Sequence, residues 1–281
     1  MTPRAVSSVV VPLDGSTVAE RALPVARALA RGDTPITLVA AVAADDQVPP
    51  AAAMVRRAAA DLGVPVSVDV LVGLPAASAL VGYLRADRGH LVVMTTHART
   101  AIGELLLGSV ADELVRRSTV PVVLVGPRAA APGNVPYRDV VLCIDGSPTS
   151  DRLLPMVPAL HDDLGLHPWL FQVRAESATG PLVDADALES NELHRTANAL
   201  AHGGLDVDWD VGHGADRAEA IADFARLRRR PLVAIATRGH NPAARLAESS
   251  LTVTVARTAP CPVFVVGPQC AVPAASGATR A

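Results

Sequence analysis

Short apolar runs, each closed by Gly, Pro, Asp or a polar cluster, alternate along this chain with longer stretches in which apolar positions return every three or four residues. A run with no polar face fits a strand buried on both sides. The longer stretches fit amphipathic helices, so the pattern is that of a parallel sheet with helices on both faces. In the first half it predicts strands at 7–13, 36–42, 66–71, 91–95 and 122–125, with helices at 17–31, 50–62, 75–87 and 108–118. The second half follows suit, with strands at 139–144, 169–173, 207–210, 232–236 and 263–266 and helices at 150–164, 182–201, 216–227 and 249–257. Two places resist this reading. Pro24 and Pro155 fall inside the first helix of each half, where proline removes a hydrogen bond and costs ~3 kcal/mol unless the helix kinks or starts late. The stretch LTVTV at 251–255 alternates as a strand would, but it aligns with a helical segment of the first half, and helix is the expectation.

The alignment is part of an internal repeat. Residues 91–127, LVVMTTHARTAIGELLLGSVADELVRRSTVPVVLVGP, match residues 232–268, LVAIATRGHNPAARLAESSLTVTVARTAPCPVFVVGP, without a gap. Upstream, VVVPLDGS ending at Ser16 recurs as VVLCIDGS ending at Ser147. A repeat of this length implies two copies of one domain, here 1–131 and 137–270. The Pro- and Gly-containing stretch RAAAPGNVP at 128–136 suits an exposed linker. The tail at 271–281 is expected to be disordered.

Composition narrows the function classes. The chain has 281 residues, half of them hydrophobic, enough for two cores, and no apolar stretch approaches the length of a bilayer span. Arg4 followed by Val9, Val10 and Val11 has the look of a leader, but Asp14 cuts the run short, and the expected location is the cytoplasm. All 25 basic residues are arginine, which excludes a Walker A, Schiff-base or kinase β3 lysine. Through Ala131 there are 12 Arg against 11 acidic residues, a net of +1; the remainder has 13 against 17, a net of −4. Neither value suggests a nucleic-acid surface. The cluster Arg226, Arg228, Arg229 and Arg230 reads as a solvated helix end. Cys143, Cys261 and Cys270 are odd in number and lack CxxC spacing, so buried, inert thiols are expected.

Candidate chemistry sits after the fourth strand of the first half. There a polar loop leads to Gly108-Ser109, which opens a helix whose unpaired amides and partial positive charge could hold a phosphate without lysine. Ser109 adds a hydroxyl, although Gly-Ser could equally serve only as a helix cap. His97 could act as a general base, but no partner nucleophile or carboxylate is placed beside it by sequence.

Taken together, these residues resemble the universal stress protein family over nearly the whole chain. That family carries an Asp at the end of its first strand and the pattern G-x2-G-x9-G-[ST] after its fourth, in a context such as THGR followed by LLGSVA. Here Thr96, His97 and Arg99 match THxR, residues 106–111 read LLGSVA followed by Asp112, and the opening strands end in Asp14-Gly15-Ser16 and Asp145-Gly146-Ser147. The resemblance implies two tandem Rossmann-like α/β domains of the adenine nucleotide alpha hydrolase-like type. Each would be a five-stranded parallel sheet with helices on both faces, and the two would pack as an internal pseudo-dimer, leaving a homodimer open.

The resemblance also implies an adenine nucleotide at the carboxyl edge of the sheet: ATP, or ADP or AMP, with magnesium able to accompany ATP. Asp14 would contact ribose and adenine, Ala41 would line the base and Met94 would sit beneath it. Gly108, Ser109 and Val110 would hold the phosphates; His97 reads as packing the loop or standing at the phosphate edge, and Arg99 could equally point at a phosphate or be solvated. Thr95 and Ala98 replace the two loop glycines. Thr95 needs only its backbone to face the ligand, whereas Ala98 costs about 1–2 kcal/mol if that position requires a positive φ. In the second half the corresponding residues are Asp145, Ala236, Gly239 and Ser249-Ser250, with Ser250 in the hydroxyl position. Glu248 stands just before that helix start, where it would repel a phosphate. The first half is therefore the expected site, with Asp145 reduced to forming a turn. The implied function is a non-enzymatic, ATP-binding stress-response regulator acting on a protein partner, without nucleic acid or membrane. A nucleotide-free interaction module of the same fold is the alternative, and a slow ATPase the second.

Overall fold

A computed structural model of the chain describes residues 6–73, 75–96, 107–133, 135–174, 183–238 and 251–271. The first half runs β1 (Ser8–Pro12), α1 (Thr17–Glu20), α2 (Ala22–Leu29), β2 (Ile36–Val42), α3 (Val48–Leu62), β3 (Val66–Val72), α4 (Ala76–Leu84), β4 (His90–Thr95), α5 (Ser109–Arg117) and β5 (Val122–Val125). The second runs β6 (Asp139–Cys143), a 3₁₀ segment at Ser150–Met156, α6 (Val157–Asp162), β7 (His167–Arg174), α7 (Val183–His202), β8 (Asp208–His213), α8 (Arg217–Arg226), β9 (Pro231–Ala236), α9 (Leu251–Thr258) and β10 (Val263–Val266).

The ten strands among the described residues join one sheet, in the order β3-β2-β1-β4-β5-β10-β9-β6-β7-β8. The strand pairs within each half are parallel; at the seam β5 and β10 run antiparallel, with Val263 opposite Leu124 and Val265 opposite Val122. The two short apolar edges thus cover each other inside one chain, as an exposed edge requires. Because side chains alternate across a strand, β1 sends Val9 and Val11 to one face and Val10 to the other. Each face carries an apolar layer that crosses the seam. One layer joins Val11, Leu38 and Val93 to Leu142 and Phe264, and the other joins Val10, Leu114 and Leu124 to Val141 and Val263.

The prolines break the first helix of each half, so neither 17–31 nor 150–164 is one continuous α-helix. Pro24 cannot donate to the carbonyl four residues back, that of Glu20, and α1 ends there before α2 resumes at Ala22. Pro155 lies inside the 3₁₀ segment, and the α-helix proper starts at Val157. Both breaks are put to use. Arg21 donates through Nη2 to the carbonyls of Gly126 and Pro127, each at 3.3 Å. Arg152, at the same distance from its Asp-Gly-Ser turn, donates to the carbonyls of Gly267 at 2.8 Å and Cys270 at 2.9 Å. Each arginine ties its half's first helix to the chain leaving its seam strand.

The LTVTV stretch is helical, with Val255 and Ala256 packed into the same layer as Ile221 and Ala225 of α8. One expectation is corrected: the basic cluster is not uniformly solvated. Arg228 lies over the rings of Trp169 and Phe224, 4.0 Å and 4.2 Å from their centroids, because a weakly hydrated, planar guanidinium gains by stacking on aromatic faces. Cys261 and Cys270 are buried, Cys143 is half-buried, and all three are free thiols. Burial pushes Cys261 up to about 12 and Cys270 to about 11, and raises Cys143 as well. Among the described residues no helix is long and apolar enough to cross a membrane. The tail from 272 to 281 lies outside them.

Candidate functional site

In the first half the connection out of β1 leads to β2 on one side, while β4 lies on the other, so the strand order reverses at β1. Open α/β sheets hold ligands outside the carboxyl ends of strands at such a point. A cavity of about 220 Å³ lies there. Its floor comes from the strand ends, with Pro12, Leu13 and Asp14 after β1, Val39 and Ala41 on β2, and Met94 and Thr95 on β4. Ala19 of α1, Ala76 and Leu80 of α4, and Gly108, Ser109, Val110 and Ala111 at the start of α5 close it.

The Asp-Gly-Ser turn shapes the mouth. The Asp14 carboxylate accepts from the Ser16 amide at 2.9 Å, and the Ser16 hydroxyl accepts from the Ala19 amide at 3.1 Å, capping α1. Gly15 between them has φ +81°, which an L side chain rarely adopts. The second half repeats the turn: Asp145 accepts from Ser147 N at 3.0 Å, and Gly146 has φ +73°. Partial burial works to raise the Asp145 pKa. Hydrogen bonds from Ser147 and Ser150 and the Arg217 charge outweigh it, holding the carboxyl below its usual range.

The opposite wall is the start of α5. Its cap residue Gly108 offers no side chain to the first amides, so they open onto the cavity with the positive end of the helix dipole. Thr95 is only 2% exposed, and its hydroxyl has no hydrogen-bond partner among the described residues. The sequence assigns Thr95 a backbone role alone, and its hydroxyl, on the face of β4 opposite Met94, has no surface open to the cavity. The described lining therefore combines an apolar slot, one carboxylate, the Ser109 hydroxyl and a helix start without a side-chain cap, which is equipment for holding a polar, partly anionic molecule with a flat apolar part.

Seven of the residues expected from sequence, Asp14, Ala41, Met94, Thr95, Gly108, Ser109 and Val110, meet in this one lining. Asp145 stands at the corresponding place in the other half, beyond the seam. His97, Ala98, Arg99, Gly239 and Ser250 lie outside the described residues. Sequence reasoning passed over Pro12, Leu13, Ala19, Val39, Ala76, Leu80 and Ala111. Ala19, Ala76 and Ala111 fall in the first turns of three helices that face the strand ends, and small residues there were the available signal.

The universal stress protein family model matches residues 6–126 and again 136–267. A universal stress protein of Methanocaldococcus jannaschii is 32% identical over 71 residues, which cover 25% of this chain and 41% of that protein. One of Mycobacterium tuberculosis is 42% identical over 60 residues, 21% of this chain and 19% of the relative. The chain thus spans less than half of the length of these relatives. Among solved structures, a universal stress protein of Archaeoglobus fulgidus superposes with a TM-score of 0.62 at 18% identity, covering 94% of this chain and 97% of its own. One from Pseudomonas aeruginosa reaches 0.59 at 13% identity, covering 94% of each.

Proposed function

Because the chain belongs to the universal stress protein family, we propose that it is a non-enzymatic stress-response regulator that binds an adenine nucleotide in the first-half cavity and acts in the cytoplasm through a protein partner. One observation carries the reading. Asp14, Ala41, Met94, Thr95, Gly108, Ser109 and Val110, widely separated in sequence, line a single cavity whose polar wall is a helix start that its cap residue, Gly108, leaves without a side-chain hydrogen bond.

In this reading the base lies in the apolar slot of Val39, Ala41, Leu80 and Met94, and the Asp14 carboxylate accepts from ribose hydroxyls. The amides of Ser109 and Val110, with the Ser109 hydroxyl, donate to a phosphate. A helix start is worth up to ~2 kcal/mol to an anion in a partly buried setting, so the apolar slot must supply much of the affinity. Magnesium would neutralise phosphate charge when the ligand is ATP. Nothing in the described lining pairs a nucleophile with a base, which favours holding a nucleotide over cleaving it.

Calorimetric titration of the full chain with ATP, ADP and AMP, with and without magnesium, tests this. Saturable binding that Asp14→Ala weakens is the expected result. Absence of binding by all three would remove the reading and leave the nucleotide-free interaction module. Steady phosphate release above a Ser109→Ala control would instead establish an ATPase.

A further inference from the structure

The two halves use the same backbone around the Asp-Gly-Ser turn. Leu13 N donates to the Val39 carbonyl at 2.8 Å, and Ile144 N donates to the Phe171 carbonyl at 2.9 Å. Cys143 faces Phe171 in the β6–β7 register as Pro12 faces Val39 in β1–β2. Phe171 therefore stands where Val39 lines the first-half cavity, and Val173 stands where Ala41 does. Ala76 opens α4 and lines the cavity, whereas Arg217 opens α8 in its place, and its charge acts on the Asp145 carboxyl. Ala19, five residues beyond Asp14, corresponds to Ser150, whose hydroxyl accepts from the Asp145 amide at 3.2 Å. Four cavity-lining positions thus carry a larger residue in the second half.

The largest of these changes is packed, not merely tolerated. Phe171 is 2% exposed and stacks on Phe224, with ring centroids 3.9 Å apart and planes 11° from parallel. Gly212 makes the room. It pairs with Val173 as Leu71 pairs with Ala41, and a β-carbon on Gly212 would come within 2.5 Å of Phe171 Cζ. The first-half combination of Val39 with Leu71 becomes Phe171 with Gly212, an exchange of bulk between two neighbouring strands that moves an aromatic ring toward α8.

We infer that the second half is a sealed copy of the site: Phe171, seated in the space left by Gly212, fills the slot that receives the ligand in the first half, so each chain takes one nucleotide and not two. The stoichiometry rests on the nucleotide reading above, whereas the sealing rests on the packing alone. Two measurements on the full chain separate them. In calorimetric titration with ATP, one ATP per chain is expected, and two would overturn the inference. In thermal unfolding without nucleotide, Gly212→Ala should lower Tm by several degrees. In a double-variant cycle, that loss should shrink to at most half its size in a Phe171→Val background, since the added methyl then meets no ring. Additive losses would overturn the sealing. A chain that binds no ATP but shows the expected coupling would retain the seal and lose the nucleotide reading.

Discussion

Gly267, at the end of the second half's seam strand, lies so close to Val115 of α5 in the first half that a β-carbon there would collide with the Val115 carbonyl oxygen. Gly126 stands in the mirror relationship to the Ala256 carbonyl of α9. Each seam strand thus runs out beneath a helix of the opposite half, at a separation only glycine permits. Since α5 begins at the cavity and passes over Gly267, the same helix serves both the site and the seam.

Gly267→Ala should accordingly destabilise the chain by about 1–3 kcal/mol, because the obstacle is rigid backbone and not a side chain that can turn aside. Gly126→Ala should behave alike. Urea unfolding would show a lower midpoint for each, and an unchanged midpoint would contradict the close approach.

Arg152 holds the chain beyond the seam through its bonds to the Gly267 and Cys270 carbonyls. Arg152→Ala leaves two partly buried acceptors short of a donor and should cost about 1–3 kcal/mol. Arg152→Lys should recover only part of that loss, since an ammonium lacks the planar fork that reaches both oxygens. Chemical denaturation of the three chains checks the order.

The two aspartates that end the opening strands should differ in consequence. Asp14 lines the cavity, whereas Asp145 is engaged by Ser147, Ser150 and the Arg217 charge. Asp14→Ala should weaken ATP binding about tenfold, the equivalent of ~1.4 kcal/mol, while Asp145→Ala leaves the affinity unchanged. Equal losses by calorimetry would mean that both halves bind.

The thiols set an alkaline limit on stability. Burial raises Cys261 to about 12 and Cys270 to about 11, against 9.0 for an ordinary thiol. Their contribution is therefore fully present below pH 9.0, where both states hold the proton, and is lost progressively as the pH rises through about 11 and about 12. Unfolding midpoints should fall over that window, and fall less steeply in a Cys261→Ala, Cys270→Ala chain, where Cys143, Tyr83 and Tyr137, also raised by burial, still contribute. At pH 8 a thiol reagent should label these two cysteines only after unfolding.

Much of this protein is written locally. The repeat of 91–127 in 232–268, the apolar runs and the Asp-Gly-Ser turns determine two α/β halves, because a buried parallel strand needs an unbroken apolar run and a turn with positive φ needs glycine. Pro24 and Pro155 determine where the first helices break, since a missing N–H acts within a single turn. Seven of the residues expected to act together line one cavity, because they fall at the carboxyl ends of β1, β2 and β4 and at the start of α5.

Tertiary structure decided what depends on residues meeting across the sheet. LTVTV reads as strand by local alternation and is helix because α8 offers it an apolar surface. The antiparallel seam and the tight fit of Gly126 and Gly267 under opposite helices follow from how two complete halves dock. The exchange of Val39 and Leu71 for Phe171 and Gly212 has meaning only across paired strands. Sequence fixes which residue occupies each position, but whether a ring fills a cavity or a surface is set by the volume its neighbours leave, and that volume exists only once the strands are side by side.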